Sequence, residues 1–255
     1  MERPVVKQLS LVIPAYNEER RLPKSLREIS DYVQAQDRLP STEVEVLAVI
    51  EKSSDSTLES ARNTTQDQNF FRVIDNVVHR GKGYAVKSGM LKAEGALVIF
   101  MDADLSTPLT EVTKFVDYFR THPNTDVLIG SRALAREMVE KKQSWFRQTL
   151  GRGFNVFVQT FGVRGIKDTQ CGFKAFRSAA AKEVFSRATL NGFAFDVEVL
   201  LLAQALGYKI DEMPVRWINS EDSKVRVFID PMKMLWDLIR IRWIVRKTIK
   251  ANPKT

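Results

Sequence analysis

The feature that most constrains the fold is an alternation of two kinds of segment along the first half of the chain. Apolar runs of strand length recur without polar alternation, which is typical of strands covered on both faces of a mostly parallel sheet. They are Leu9 to Ile13, Val44 to Ile50, Val73 to Val78, Ala96 to Met101 and Val127 to Ile129. Helical patterns fill the intervals, at Leu22 to Val33, Ser56 to Asn63, Tyr84 to Ala93 and Pro108 to Phe119. This order predicts an α/β fold with a Rossmann-like central sheet flanked by helices.

Local signals mark the starts of two helices, and nothing marks a second domain. Asp55 or Ser56 suits the cap of the second helix, and Thr107 followed by Pro108 suits the cap and first turn of the fourth. No repeat, low-complexity tract or linker interrupts the 255 residues. We therefore predict one domain, residues 1–255, in which residues 132–255 complete the globule begun by residues 1–131.

The charge balance narrows the classes of partner. Lys and Arg number 39 against 31 Asp and Glu, a net charge of +8, which favours nucleic acid, phosphorylated ligands or an acidic membrane. No recognised nucleic-acid-binding motif is present, so we predict no nucleic-acid partner. Cys171 is the only cysteine, which excludes an internal disulfide and favours a reducing, cytoplasmic location.

Four loops follow the predicted strands, at the edge where open α/β sheets bind ligands. They read PAYNEE, EKSSDST, HRGKGYA and DADLS. In the last, Asp102 and Asp104 can turn carboxylate oxygens toward one hard divalent cation, although Asp also suits an ordinary turn. In HRGKGYA, backbone N–H groups and Lys82 can meet a phosphate, but the loop lacks the P-loop pattern and also suits a plain turn and helix start.

Several motifs, in matching order from about residue 8 to residue 245, resemble the inverting glycosyltransferases of family 2, which have the GT-A fold. The matching segments are LSLVIPAYNEE, HRGKGYAVKSGM, MDADLS, IGSRA at 129–133, KDTQCGFKAFR at 167–177, FAFDVEVL at 193–200 and EDSKV at 221–225. The last three look most like the dolichyl-phosphate β-glucosyltransferases, with the dolichol-phosphate mannose synthases second. The resemblance implies transfer of a hexose, first of all glucose from UDP-glucose, to a dolichyl or polyprenyl phosphate with inversion.

The resemblance also implies roles for individual residues in donor binding. Residues 1–131 would form the nucleotide-sugar-binding half and residues 132–255 the acceptor-binding half. Asp104 would be the direct ligand of Mg²⁺ or Mn²⁺, and Asp102 would position the metal, ribose or sugar. The other residues implied to bind the donor or its phosphates are Pro14, Tyr16, Asn17, Glu18, Lys82, Ala103, Arg132 and Lys224.

One loop departs from the family pattern. Where the family commonly has D-D-G-S-x-D-x-T, this chain has IEKSSDST, so that Ile50, Glu51 and Lys52 replace Asp, Asp and Gly. Glu51 is expected to accept hydrogen bonds from the base or ribose. Because Lys lacks the access of Gly to positive φ, the loop is expected to be reshaped.

Asp168 and Asp196 are the acidic residues that the resemblance brings near the acceptor or sugar, with Glu198 ranked below them. A phosphate monoester, with a second pKa of about 6, is already mostly dianionic at neutral pH and needs little deprotonation. With a lipid phosphate as acceptor, Asp168 is therefore expected to orient the sugar or the basic residues. With a saccharide hydroxyl, the alternative acceptor, it would need to take the proton. A GDP-mannose-dependent enzyme is a second alternative.

Two basic, aromatic segments are candidates for contact with a lipid surface. Residues 143–162 form the first, and residues 231–250 place Trp236, Ile239 and Trp243 at helical spacing in a cationic, amphipathic C-terminal helix. Both stripes would also suit packing on the sheet. No apolar run reaches the ~18 residues that a spanning helix needs, and the amino-terminal run is too short for a signal peptide. We expect peripheral association with the cytosolic membrane face, helped where necessary by a membrane-protein partner.

Overall fold

A computed structural model describes residues 7–36, 39–134, 139–140 (backbone only), 163, 165–218, 237, 240–241 and 243–250. The strands are β1 Leu9–Ala15, β2 Val44–Glu51, β3 Phe71–Asn76, β4 Leu97–Met101, β5 Val127–Ser131, β6 Val139–Glu140, β7 Phe173–Arg177, β8 Ile210–Pro214 and β9 Trp217–Ile218. The helices are α1 Leu22–Gln34, α2 Thr57–Thr65, α3 Lys82–Lys92, α4 Thr110–Thr121, α5 Ser178–Arg187 and α6 Phe195–Ala205. Residues 243–250 are also helical, and Ser41–Glu43 form a short 3₁₀ turn.

The central sheet has seven strands in the order β3-β2-β1-β4-β7-β5-β8. Strands β1 to β4 pair in parallel, as do β5 and β8, while β7 runs antiparallel between β4 and β5. The mostly parallel α/β sheet predicted from the sequence is confirmed. Because β7 is antiparallel, its amino end lies at the same edge as the carboxyl ends of its neighbours. That edge therefore gathers the loops after β1, β2, β3, β4 and β5 with the segment that precedes β7.

Burial on both faces explains why the strands read as continuous apolar runs. Every residue of β1, β2, β4 and β5 is buried. Successive side chains of a strand point to opposite faces, and in β1 they enter two different apolar clusters. Val12 packs with residues of α3, α5 and α6, whereas Leu11 and Ile13 pack with residues of α1 and α4. The sheet is thus a middle layer between two layers of helices.

The boundaries of several predicted elements differ from the observed ones, most clearly those of β3 and α4. β3 begins at Phe71 and ends at Asn76, because its pairing with β2 ends where Glu51 meets Asn76; Val77 and Val78 lie beyond it, 73% and 47% exposed. Helix α4 begins at Thr110 rather than Pro108. Its entry is a tight turn in which the N–H of Glu111 donates to the carbonyl of Pro108 at 2.9 Å.

Two further predictions concern helix starts and strand ends. Asp55 does serve the start of α2, since its Oδ1 accepts the backbone N–H of Thr57 at 3.1 Å, whereas Ser56 makes no side-chain cap bond. The first strand, predicted to end at Ile13 before Pro14, continues through Pro14 to Ala15. The pairing of β1 with β4 stops at Val12, so Pro14 lies beyond that pairing, where the absence of an N–H group is tolerated.

The carboxyl-terminal helix packs on the sheet layer with one side. Ile241 and Val245 are buried in the same cluster as α3 and α6, while Trp243 is 60% exposed and the ammonium of Lys247 lies 5.1 Å from the centre of its ring. The predicted amphipathic helix is confirmed for these positions; Trp236, Ile239 and residues 143–162 lie outside the described residues. Within the described ranges, no helix is long and apolar enough to cross a bilayer.

Candidate active site

The turn after β4 carries Asp102 and Asp104 and leaves both side chains accessible. The N–H of Leu105 donates to the carbonyl of Asp102 at 3.1 Å, and the N–H of Ser106 donates to Oδ1 of Asp104 at 3.0 Å. The other oxygen of Asp104 lies 3.8 Å from Nη1 of Arg21, and this carboxylate keeps 20% of its surface exposed. Turn chemistry therefore uses one oxygen of Asp104 and leaves the second for a ligand.

Lys82 and Gly172 enclose the carboxylate of Asp102. The ammonium of Lys82 lies 2.5 Å from Oδ1, and a Cβ added at Gly172 would lie 2.1 Å from Oδ2. Burial lowers the pKa of Lys82, but attraction to Asp102, Asp196 and Asp104 outweighs burial and raises it above its ordinary value. Lys82 is therefore a cation in contact with Asp102. Gly172 immediately precedes β7, a strand that the sequence pattern did not predict.

Arg132 and Asp168 form a pair with three hydrogen bonds. The backbone N–H and Nε of Arg132 donate to Oδ2 of Asp168 at 3.0 and 2.7 Å, and Nη2 donates to Oδ1 at 2.9 Å. Burial would raise the pKa of Asp168, but Arg132 outweighs burial and holds that pKa below its ordinary value. The guanidinium also lies 5.6 Å from the ring centre of Trp217. Asp168 is thus an ionised partner that fixes Arg132.

A second buried pair, Lys174 with Asp196, lies beneath this edge. Lys174 has no exposed surface; its ammonium donates to Asp196 and, at 2.7 Å, to the carbonyl of Cys171. Burial raises the pKa of Asp196 and outweighs the attraction of Lys174 and Lys82. Burial likewise raises the pKa of the Cys171 thiol to about 12, in keeping with packing rather than nucleophilic chemistry.

Sequence reasoning missed Lys174 although a signal was present. Two charged residues stand in otherwise apolar segments, Lys174 in GFKAF and Asp196 in FAFDV. A buried charge is tolerated when it is paired, so a basic and an acidic residue that each interrupt an apolar segment can be expected to pair with each other. Glu198, also fully buried on α6, accepts the backbone N–H groups of Thr189 and Leu190 and so holds the loop before the helix.

The loops after β1 and β2 are joined by reciprocal hydrogen bonds. Asn17, at a φ of 53°, donates its N–H to Oγ of Ser53 at 3.0 Å, and its Oδ1 accepts the N–H of Ser54 at 2.8 Å. The N–H of Glu18 donates to Oγ1 of Thr57 at 2.7 Å. The altered IEKSSDST loop is therefore held against PAYNEE by its own Ser and Thr hydroxyl groups. Its Lys52 is not among the residues with positive φ.

Glu51 supports the loop after β3. It is 2% exposed and contacts Nδ1 of His79 at 2.5 Å, and it accepts the N–H groups of Arg80 and Gly81 at 3.2 and 2.8 Å. The His79 ring stacks on Tyr16, with centres 3.8 Å apart and planes 12° from parallel. Glu51 thus reaches the expected base-binding surface through His79, a residue that sequence reasoning did not single out.

Most backbone N–H groups of HRGKGYA donate to acceptors within the protein. Besides the bond from Gly81 to Glu51, the N–H groups of Gly83 and Tyr84 donate to the carbonyl of Asn191 at 2.8 and 3.3 Å. Gly81 has a φ of 118°, and an added Cβ would lie 2.6 Å from that same carbonyl. The glycines serve close packing, and the side chains of His79 and Lys82 are the groups that this loop directs at the site.

The remaining predicted site residues are less directly exposed to a ligand. Pro14 is buried in β1, and Ala103 is 6% exposed within an apolar cluster, so that its backbone alone can face the site. Glu18 forms a two-bond pair with Arg21, at 2.9 and 2.6 Å. Lys224 lies outside the described residues.

The carboxylates of Asp102 and Asp104 fit a hard divalent cation. Among the residues that the structure describes, no cluster of three or more His, Cys, Asp or Glu side chains forms a closed metal site. Mg²⁺ and Mn²⁺ suit such an incomplete protein shell, because they are bound through one or two carboxylates with substrate phosphates and water completing the coordination.

Comparison with known proteins identifies the family. The family model described as glycosyl transferase family 2 matches residues 10–185. The chain belongs to this family. Among its relatives, the dolichyl-phosphate beta-glucosyltransferase of Homo sapiens is 37% identical, over 96% of this chain and 80% of the relative. That of Saccharomyces cerevisiae (strain ATCC 204508 / S288c) is 36% identical, over 92% of this chain and 74% of the relative. The resemblance seen in the sequence is confirmed.

Two solved structures share the fold. Glucosyl-3-phosphoglycerate synthase from Mycobacterium tuberculosis, solved with Mn²⁺, uridine diphosphate and phosphoglyceric acid, gives a TM-score of 0.66 at 17% identity, covering 94% of this chain and 78% of that one. TarS 1-349 from S. aureus gives 0.59 at 18% identity, covering 97% and 67%. The GT-A fold predicted from the sequence is confirmed.

Proposed function

We propose that this chain is an inverting, metal-dependent hexosyltransferase that moves glucose from UDP-glucose to dolichyl or a related polyprenyl phosphate. The observation that carries the proposal is the pair of Arg132 and Asp168. It offers a fixed cation for phosphate and a carboxylate that is already ionised and bonded. The dolichyl-phosphate beta-glucosyltransferases at 36% and 37% identity support the same substrates.

The donor would lie along the carboxyl edge of β1 to β4. The accessible face of the Tyr16 and His79 stack suits a nucleobase, and Lys82 suits the diphosphate. Asp104 and Asp102 would hold Mg²⁺ or Mn²⁺, which when bound supplies positive charge for the departing diphosphate. Asp102, held between Lys82 and Gly172, would keep the sugar end of the donor in one orientation.

The acceptor would supply its own negative charge. A dianionic phosphate oxygen attacks the anomeric carbon, the bond from that carbon to the diphosphate oxygen breaks, and UDP leaves with the bonding electron pair. No proton has to be removed from the nucleophile, so the lowered pKa of Asp168 is compatible with this acceptor. A hydroxyl acceptor would instead require a base, a role for which a carboxylate bonded to Arg132 is poorly suited.

The location of such an acceptor favours a peripheral position at the cytosolic face of a membrane. Exposed Trp243 stands beside the exposed cations Arg240, Arg246 and Lys247 on one helix. An aromatic ring with flanking cations suits the headgroup region of an anionic membrane. A membrane-protein partner would strengthen this association.

A donor-by-acceptor screen tests the proposal. Purified protein is incubated with radiolabelled UDP-glucose or GDP-mannose, with dolichyl phosphate or an oligosaccharide, and with Mn²⁺, Mg²⁺ or EDTA. We expect label in the lipid phosphate from UDP-glucose, with a metal present. Transfer from GDP-mannose and not from UDP-glucose would contradict the proposed donor. Transfer only to saccharide hydroxyl groups would contradict the proposed acceptor.

A further inference from the structure

The ammonium of Lys82 lies against the carboxylate of Asp102, where a divalent cation would also bind. The ammonium lies 2.5 Å from Oδ1 of Asp102 and so places a positive charge against a carboxylate that is proposed to hold the metal. Asp104, the second carboxylate of the turn, also attracts the charge of Lys82. The ammonium therefore occupies the electrostatic place of a metal ion for at least one of the two carboxylates.

Asp102 has little freedom to leave this contact. Gly172 packs against its Oδ2, where an added Cβ would lie only 2.1 Å away. A metal approaching Asp102 meets a carboxylate whose charge is already balanced by Lys82. Entry of the metal requires that the ammonium move, because two cations so close together repel each other.

Lys82 is able to make this movement. It begins α3, its side chain is 22% exposed, and Lys has a flexible four-carbon stem. A nucleotide diphosphate would provide several new acceptor oxygens within the same cluster of charges. The buried carboxylate of Asp196 also attracts Lys82 and favours its staying near the site after it leaves Asp102.

From these contacts we propose that Lys82 is a built-in counter-cation that competes with the divalent metal for Asp102 and moves to the diphosphate when the metal and nucleotide arrive together. Lys82 thus makes metal binding depend on the nucleotide. The inference rests on the proposed function only in taking a nucleoside diphosphate as the ligand. By linkage, the metal and the nucleotide increase each other's affinity by the same factor.

The test measures Mn²⁺ binding by electron paramagnetic resonance and calorimetry, with and without UDP. Lys82→Gln removes the charge and keeps most of the length, and Lys82→Arg keeps the charge. Lys92→Gln, at the exposed far end of α3, is the matched control. Without UDP, we expect Lys82→Gln to bind Mn²⁺ about tenfold more tightly than wild type, within the usual range of coupling between sites. The other two variants should bind like wild type.

UDP provides the second part of the test. In wild type, UDP should increase the affinity for Mn²⁺ strongly, and Lys82→Gln should lose about tenfold of that increase. Equal or weaker Mn²⁺ binding by a folded Lys82→Gln protein without UDP would overturn the inference, and so would the same gain in Lys92→Gln. Failure of the proposed function is distinguishable: a protein that transfers no glucose and yet shows the Lys82→Gln gain contradicts only the proposed substrates.

Discussion

Two neighbouring sets of acidic side chains at the same edge of the sheet differ in their exposure to solvent. Asp102 and Asp104, the open pair, keep 36% and 20% of their side-chain surface exposed, whereas Asp168 and Asp196, the closed pair, keep 9% and 4%. All four lie near a basic side chain. The difference in burial therefore separates carboxylates that can exchange one cation for another from carboxylates that hold a fixed partner.

The free-energy cost of breaking an ion pair differs between the two arrangements. The ion pairs of Asp102 and Asp104 are partly exposed, and a fully exposed ion pair contributes only ~0–1 kcal/mol, so a metal arriving with a nucleotide can replace their cations. Removal of one partner from a buried pair costs ~3–5 kcal/mol, because the other charge is left without compensation. The open pair is thus suited to bind ligands, and the closed pair is suited to hold Arg132 and the start of β7 in place.

The largest expected effect comes from removing Lys174, the buried partner of Asp196. Lys174→Met leaves the carboxylate of Asp196 buried without its partner and should lower the free energy of unfolding by ~3–5 kcal/mol. Urea denaturation measures this change. The exposed Lys92→Met is the control, and the double variant Lys174→Met with Asp196→Leu should recover most of the loss. A single variant as stable as wild type would contradict the role of this pair.

A substitution in the open pair should lower the activity of the enzyme much more than its stability. Asp104→Ala removes a proposed metal ligand and should lower kcat by ~10²–10³-fold, which corresponds to ~3–4 kcal/mol. The free energy of unfolding should change by only ~1 kcal/mol, because the side chain gives up one hydrogen bond and one long, partly exposed ion pair. Turnover assays and urea denaturation separate the two effects. Asp117→Ala on α4 is the control, and full activity in Asp104→Ala would exclude the metal role.

The pH dependence of stability distinguishes Asp168 from an ordinary surface carboxylate. Its folded-state pKa is below its ordinary value, so its ionisation contributes stability above about pH 4. That contribution is lost as the pH falls through the lowered folded-state pKa. Asp168→Asn should therefore lose ~1–3 kcal/mol at neutral pH, and the difference from wild type should shrink in acid. Urea denaturation over a pH series measures it; a difference that is constant with pH would contradict the pairing.

The smallest expected effect is at the membrane. Trp243→Glu should weaken binding to anionic vesicles by ~3- to 10-fold, because a charged side chain replaces an exposed aromatic ring. Vesicle sedimentation measures the binding. Val77→Glu adds the same charge at another exposed apolar position and should have less effect. Equal losses in the two variants would argue against the carboxyl-terminal helix as the contact.

The sequence predicted the position of Asp102 and Asp104 at the ligand-binding edge, because that position depends on local features. β4 is a continuous apolar run, and Asp102 and Asp104 follow it directly, so a parallel sheet brings them to the ligand-binding edge. The closed pair depends on contacts between distant segments. Lys174 and Asp196 are 22 residues apart, and Arg132 and Asp168 are 36 apart. Periodicity carries no information on such pairs.

Strand β7 likewise could not be predicted from the pattern of apolar residues. Its sequence, FKAFR, contains two basic residues in five positions and does not read as a central strand, yet Lys174 is fully buried because Asp196 neutralises it. Glu51 presents a related difficulty. Its position at the end of β2 could be read from the sequence, but the direction of its side chain depends on His79 and Gly81, which belong to the loop after β3.

The central claim is that Asp168 is fixed on Arg132 and that the acceptor brings its own negative charge. Its most direct test is the acidic limb of kcat/KM against pH, measured with dolichyl phosphate and with its phosphonate analogue, whose second pKa is higher. If the acceptor dianion is the nucleophile, the limb for dolichyl phosphate should lie near the phosphate's second pKa of about 6 and should move to higher pH with the phosphonate. A limb at the same pH for both acceptors would place the titrating group on the enzyme and contradict the claim.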